Sequence, residues 1–174
     1  MESSANPTQV FKSAMVTGHR PQLLTLEQTK FSKRALLGIG RQLQRDFGTV
    51  EAISGMALGV DTWWAKVALH LNLDLAAYIP FPQQTSRWRQ VDREYWAVLR
   101  QHSSREVMCG ESFSVRGLHI RNDRMIRDAD VAVAVWCPSN LTGGTAGAVK
   151  KIRKLQMPMI LVDLDSLSIS RENF

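Results

Sequence analysis

Apolar, β-branched runs recur along this chain, separated by segments of helical periodicity, and that alternation constrains its fold more than any other feature. Runs spaced so far apart do not pair through tight hairpins. They build a mainly parallel sheet whose crossover helices cover both faces. The runs fall at residues 13–17, 50–54, 73–79, 105–109, 131–136 and 159–162, predicting a sheet of about six strands. Helices are predicted over 26–47, 60–71, 88–101, 115–127 and 144–155. Thr25 and Gln28 have capping-box spacing at the start of the first, and Phe31, Leu36, Ile39 and Leu43 give it an apolar stripe. Pro158 stops the last.

The fold class is therefore α/β, a single Rossmann-like domain with helices on both faces of the sheet. The domain is expected over 13–165, with a polar N-terminal tail at 1–12 and a C-terminal tail at 166–174 that shows no clear pattern. A chain of 174 residues suits one such domain. No apolar run reaches the roughly 20 residues of a bilayer span, and the start lacks a signal pattern, so a soluble, cytoplasmic protein without a membrane partner is expected. Cys109 and Cys137 each follow an apolar run. With no CxxC and no Cys/His cluster they read as buried free thiols, and nothing implies a metal or a cofactor.

In open parallel sheets ligands sit at the carboxyl ends of the strands, so the strand exits carry the functional information. After the first strand come Thr17, Gly18, His19, Arg20 and Pro21. Gly18 permits close backbone approach, Thr17 and His19 can hydrogen-bond, and Arg20 can pair with a phosphate. A plain strand-exit turn with a surface arginine is the alternative. The second exit reads Ser54, Gly55, Met56, Ala57, Leu58, Gly59, Val60, Asp61. Small residues at a strand-to-helix turn expose N–H groups at the positive end of a helix, a ready anion site, although the spacing is not that of the dinucleotide fingerprint. Asp61 in the first helical turn would repel a phosphate placed on it. It is either a cap or a partner for ribose hydroxyls.

The strongest local signal follows the fifth strand. After Trp136, Cys137 and Pro138 come Thr142, Gly143, Gly144 and Thr145, then Ala146, Gly147 and Ala148. The glycines free the backbone to wrap a phosphate, Thr145 adds a hydroxyl at a helix N-terminus, and the small residues let the helix approach the sheet. Phe81 and Trp88, after the third strand, are candidates for an aromatic lip over a base. Asn122, a helical step from Leu118 and Met125, is a ligand contact or a satisfied buried amide. Of Trp63 and Trp64, one is expected in the core. His70, His102 and His119 have no partner suggesting catalysis. The net charge of +6 suits an anionic ligand, but the cations are spread out and the densest group, Lys150, Lys151, Arg153 and Lys154, complements a helix C-terminus.

Taken in order, these motifs resemble the SLOG superfamily of Rossmann-like proteins, most closely its YpsA-like branch. The elements that carry the resemblance are residues 16–21, residues 54–61, Pro80-Phe81-Pro82 with Trp88, Arg121-Asn122 with Met125-Ile126, Asp130, and Gly143-Gly144-Thr145-Ala146. They span residues 15–162. The superfamily includes binders of nucleotide-derived ligands, phosphoribohydrolases and a DNA-processing protein that binds single strands. The resemblance implies a ligand site at the first, second and fifth strand exits, and self-association into a homo-oligomer. It also suggests a role in sensing or sequestering nucleotide signals in bacterial and phage conflict. The phosphoribohydrolases carry a PGGxGTxxE pattern. Here the turn is shortened, and small and apolar residues stand where the glutamate is expected. Lacking that carboxylate, the chain forgoes a general acid/base contribution of about 10²–10⁴-fold.

The expectation is thus a binding protein for a small nucleotide-derived ligand, such as an ADP-ribose-like or cyclic-nucleotide species, with no catalytic residue assigned. Gly143, Gly144 and Thr145 would hold phosphate with Thr17, Gly18 and Arg20. Ser54, Gly55 and Asp61 would meet a ribose or second phosphate, and Phe81, Trp88 or Trp136 would face the base. His19, Met56, Gly59 and Asn122 complete the candidate set. The alternatives are a nucleotide N-glycosidic hydrolase and a single-stranded nucleic-acid binder.

Overall fold

Seven strands form one sheet in the order β4-β3-β2-β1-β5-β6-β7. They are β1 (Ser13–Gly18), β2 (Glu51–Ser54), β3 (Asp74–Ile79), β4 (Arg105–Met108), β5 (Val131–Trp136), β6 (Met159–Asp163) and β7 (Ser168–Glu172). The first six pair in parallel and β7 runs antiparallel to β6. The structure, a computed structural model, describes residues 9–174. Five α-helices connect the strands: α1 (Leu26–Phe47), α2 (Val60–His70), α3 (Gln90–Gln101), α4 (Val115–Asp128) and α5 (Gly143–Lys154).

Strand periodicity divides the interior into two cores. Ala14, Val16, Leu75, Val133 and Val135 face α1, α2 and α3, where Leu36, Trp64 and Trp96 meet them. Met15, Ile53, Tyr78, Ala134 and Leu161 face the opposite way, toward Met125 and Ile126 of α4 and Val149 and Ile152 of α5. Both faces of β5 are covered, so all six of its residues are buried, as its unbroken apolar run requires.

Helix α1 begins where its capping box predicts. The Thr25 hydroxyl accepts the Gln28 N–H at 3.1 Å and the Gln28 amide oxygen accepts the Thr25 N–H at 3.0 Å. Leu36, Ile39 and Leu43 are buried and Phe31 is half-buried. Of the paired tryptophans, Trp64 is the one in the core.

Parts of both expected tails pack on the domain. Residues 1–8 of the N-terminal tail lie outside the described residues. Phe11, however, is anchored: it is buried, stacked on Phe47 at 5.0 Å, and its carbonyl accepts the Thr49 hydroxyl at 2.6 Å. The expected C-terminal tail supplies β7, a seventh strand. Its side chains are mostly exposed because it is an edge strand, so it lacks the apolar alternation that marks a half-buried one. Arg153 of α5 holds it through Glu172 at 2.8 Å.

Strand order reverses between β1 and β5, whose neighbours run outward to β4 on one side and β7 on the other. A crevice opens at such a reversal because the connections leaving the two strands diverge to opposite faces.

Candidate ligand-binding cleft

A cleft of about 690 Å³ lies at the carboxyl ends of β1 and β5. Its walls come from the exits of β1, β2 and β5 and from α4.

The β1 exit supplies Thr17, Gly18, His19 and Arg20, all four on the lining. Gly18 is fixed by packing: a Cβ there would stand 2.5 Å from Val60 Cγ1, so glycine lets α2 sit against the strand end. His19 is 5% exposed, and its Nε2 accepts the Cys137 N–H at 3.2 Å. That bond ties the exits of β1 and β5 together and requires Nε2 to be unprotonated. Burial lowers the His19 pKa, and the nearby Asp165 carboxylate opposes the shift. Arg20 is exposed at the rim.

The β2–α2 turn is built differently from the sequence expectation. Asp61 Oδ2 accepts the Ala57 N–H at 3.3 Å and lies 3.4 Å from Arg121 Nη1 of α4. The same guanidinium nitrogen donates to the Gly55 carbonyl at 2.5 Å. Among the described residues, Arg121 Nε is buried with no partner. The anion expected in this turn is thus the protein's own carboxylate. Burial raises the Asp61 pKa, against Arg121, the Ala57 N–H and Arg20, while burial lowers that of Arg121, against Asp61. Asp61 does not cap α2, whose N-cap Gly59 has no side-chain bond; it closes the turn ahead of the helix, and it also lines the cleft.

Ser54, Gly55, Met56 and Gly59, all placed in the candidate site by sequence, support this turn without lining the cleft. The Ser54 hydroxyl donates to the Asp61 carbonyl at 2.8 Å and accepts the Met56 N–H at 3.1 Å. Met56 is buried at φ 57°, with its carbonyl accepting the Trp96 indole N–H at 3.0 Å. A Cβ on Gly55 would fall 1.8 Å from Arg121 Nη1. Gly59, at φ 96°, turns the chain into α2 beneath Pro21.

The β5–α5 turn leaves its helix end open. Thr142 is the N-cap but makes no side-chain capping bond, and no acid stands in the first turn. Asn140 Oδ1 instead accepts the Thr142 N–H and hydroxyl, each at 3.2 Å. Gly143, at φ 89°, Gly144 and Gly147 would each place a Cβ with no protein atom within 4 Å. Gly143, Gly144 and Thr145 line the cleft, as does Asn122 from α4.

Three expected aromatic contacts lie off the cleft. Phe81 turns inward with its ring edge-on to Phe113 at 5.4 Å, and Trp88 packs against Trp96 at 6.5 Å. Both rings gain more from aromatic burial than from a solvated lip. Trp136 is buried and its indole N–H donates to the Asn140 carbonyl at 2.9 Å, shaping the turn. The cleft's apolar wall is formed by Leu23, Val115, Leu118 and Met125. His119, Arg121 and Asn140 also line it, and none was assigned to the site from sequence. Arg121 was named in the sequence only among the residues that carry the resemblance, because its partner Asp61 is sixty positions away.

No protein-family model matches the chain, and no curated relative matches it. Solved structures do. DNA processing protein A from Streptococcus pneumoniae superposes with a TM-score of 0.61 at 14% identity, over 87% of this chain and 50% of that one. The chain therefore spans half the length of that protein. DNA processing protein A from Helicobacter pylori, solved for its single-stranded DNA binding mode, gives 0.61 at 17% identity, over 88% of this chain and 65% of that one. The chain therefore shares the Rossmann-like fold of these proteins. The Moco carrier protein of Chlamydomonas reinhardtii shares it too, with a TM-score of 0.54 at 18% identity, over 86% of this chain and 74% of that one. Among the described residues no helix is long and apolar enough to cross a membrane.

Proposed function

We propose that the chain binds a small nucleotide-derived ligand in the β1/β5 cleft and acts by sensing or sequestering it. The observation that carries this reading is the N-terminus of α5. Its first N–H groups have no capping side chain and no acid in the first turn, and Gly143 and Gly144 border open space on the cleft lining. Packing explains the glycines at 18 and 55 but not Gly144, which lines the cleft, and room for a ligand is a physical use for it there.

The ligand presents one phosphate to this helix end, with Arg20 reaching it from the opposite rim. Because Asp61 already fills the β2–α2 turn, a second phosphate has no equivalent seat there, and Asp61 suits ribose hydroxyls. The base lies against Leu23 and Val115, which are 59% and 63% exposed without it. The conflict role that the family resemblance suggests would follow from such sequestration.

Mass spectrometry of small molecules released from the purified protein, with thermal shift against a nucleotide panel, tests the proposal. A stoichiometric nucleotide, or a clear shift that Gly144→Asp abolishes, supports it. An empty protein unmoved by every nucleotide, with Gly144→Asp indistinguishable from the parent, overturns it.

A further inference from the structure

A second concavity, of about 430 Å³, lies away from the cleft on the outer surface of α1, α2 and α3. Lys33 and Leu37 of α1, Trp63, Lys66 and His70 of α2, and Tyr95 of α3 line it. Trp63 is half-buried against the core, and the Lys33 ammonium stands 5.0 Å from its ring centroid. Helical spacing extends this basic character along α1. Lys30, Lys33, Arg34, Leu37 and Arg41 share one face, opposite the buried Leu36, Ile39 and Leu43. The eleven-residue step from Lys30 to Arg41 covers about 16 Å at 1.5 Å per residue.

Among the described residues, none of Lys30, Lys33, Arg34, Arg41 or Lys66 forms an ion pair, although eight other cations do. Of the acids on α1 and α2, Asp46 is paired with Arg45 and Asp61 is buried with Arg121, which leaves Glu27, one turn before Lys30, as the acid nearest the stripe on these two helices.

We infer that this groove and stripe bind a single-stranded polynucleotide, with phosphates on the α1 and α2 cations and bases against Trp63 and Tyr95. Flat rings set between lysines are what a strand needs, since every base has a face to stack and every link a charge to neutralise. An acidic peptide would satisfy the cations but offer the rings no flat partner. A second copy of the chain, docked symmetrically, would bring the same unpaired cations face to face, and like charges oppose such contact. The length of the stripe exceeds the span of one phosphate, which favours a strand over a mononucleotide.

The test is fluorescence anisotropy with short labelled oligothymidylate and oligouridylate, titrated over a range of salt, with Trp63 emission followed in parallel. Expected are salt-dependent binding, quenching of Trp63, and an at least tenfold loss of affinity in the double variant Lys33→Gln, Lys66→Gln. That variant should also lower the log–log salt slope by about 1.4, since each phosphate neutralised on a single strand contributes about 0.7 and two are given up. Both side chains are exposed, so the fold should be kept, and Lys30→Gln with Arg34→Gln provides a second pair. Gly144→Asp should leave oligonucleotide binding intact, separating this surface from the cleft. The two oligonucleotides decide whether DNA or RNA is preferred. No binding at low salt, binding lost in Gly144→Asp but kept in both double variants, or self-association that the variants abolish without oligonucleotide affinity would each overturn the inference.

Discussion

Arg121 Nη1 lies 3.4 Å from Asp61 Oδ2 and 2.5 Å from the Gly55 carbonyl, so one guanidinium on α4 closes the β2–α2 turn from across the cleft. Both side chains are about 10% exposed. Removing one partner from such a pair leaves the other charged, desolvated and alone. Arg121→Met should lower the free energy of unfolding by about 3–5 kcal/mol, measured by urea denaturation. In the double variant Arg121→Met, Asp61→Asn much of that loss should be recovered. A single variant within experimental error of the parent would mean that water already solvates the pair.

His19 gives the molecule a pH dependence with a definite sign. Its folded pKa is lowered by burial below the ordinary 6.5, with Asp165 opposing. The native state therefore favours the neutral ring, whose Nε2 accepts the Cys137 N–H. Its contribution is fully present above the unfolded value near 6.5 and is lost as pH falls through the folded one. Urea midpoints should drop between neutral and mildly acidic pH in the parent, and His19→Gln should drop less. Parallel pH profiles for the two proteins would remove His19 as the cause.

The architecture could be read from the sequence because its signals are local. The apolar run of β5, the Thr25–Gln28 box and the glycines after β5 each act within a few residues of themselves. What could not be read depends on distant partners or on exposure. β7 carries no apolar alternation because one edge of it meets solvent. Arg121 enters the cleft because of Asp61 and Gly55, sixty and sixty-six positions away. Phe81 and Trp88 were expected at a base, and their aromatic partners Phe113 and Trp96 decided otherwise. The β2–α2 turn showed the right small residues for an anion, but its own carboxylate takes the Ala57 N–H.

The reciprocal bonds of Thr25 and Gln28 satisfy two N–H groups that the first turn of α1 would otherwise leave open. Gln28 also donates from its side chain to the Leu164 carbonyl at 3.0 Å, linking this cap to the end of β6. Thr25→Ala should cost about 1 kcal/mol in equilibrium unfolding. Gln28→Ala should cost more, since it removes the box and the tie to β6 together. Equal losses would show that the Leu164 contact contributes nothing.

The glycines around the cleft fall into two physical kinds, and alanine substitution should separate them. At Gly18 a Cβ would meet Val60 at 2.5 Å, and at Gly55 it would meet Arg121 at 1.8 Å. Relief needs a shift of α2 in the first case and displacement of a buried guanidinium in the second, so each variant should lose about 1–3 kcal/mol from overpacking, and Gly55→Ala the more. At Gly144 a Cβ meets nothing within 4 Å and the residue opens a helix, so Gly144→Ala should fold at least as stably as the parent. A gain of about 0.4–1 kcal/mol is expected there from the narrower unfolded ensemble. The same methyl group stands where the proposed phosphate approaches the backbone, so ligand affinity should fall while stability rises. Thermal melts with and without the ligand found by mass spectrometry measure both quantities on one sample. If Gly144→Ala proves less stable in the absence of ligand, the turn is strained by the protein itself and its glycine is structural. If stability holds and affinity is unchanged, the phosphate lies elsewhere in the cleft.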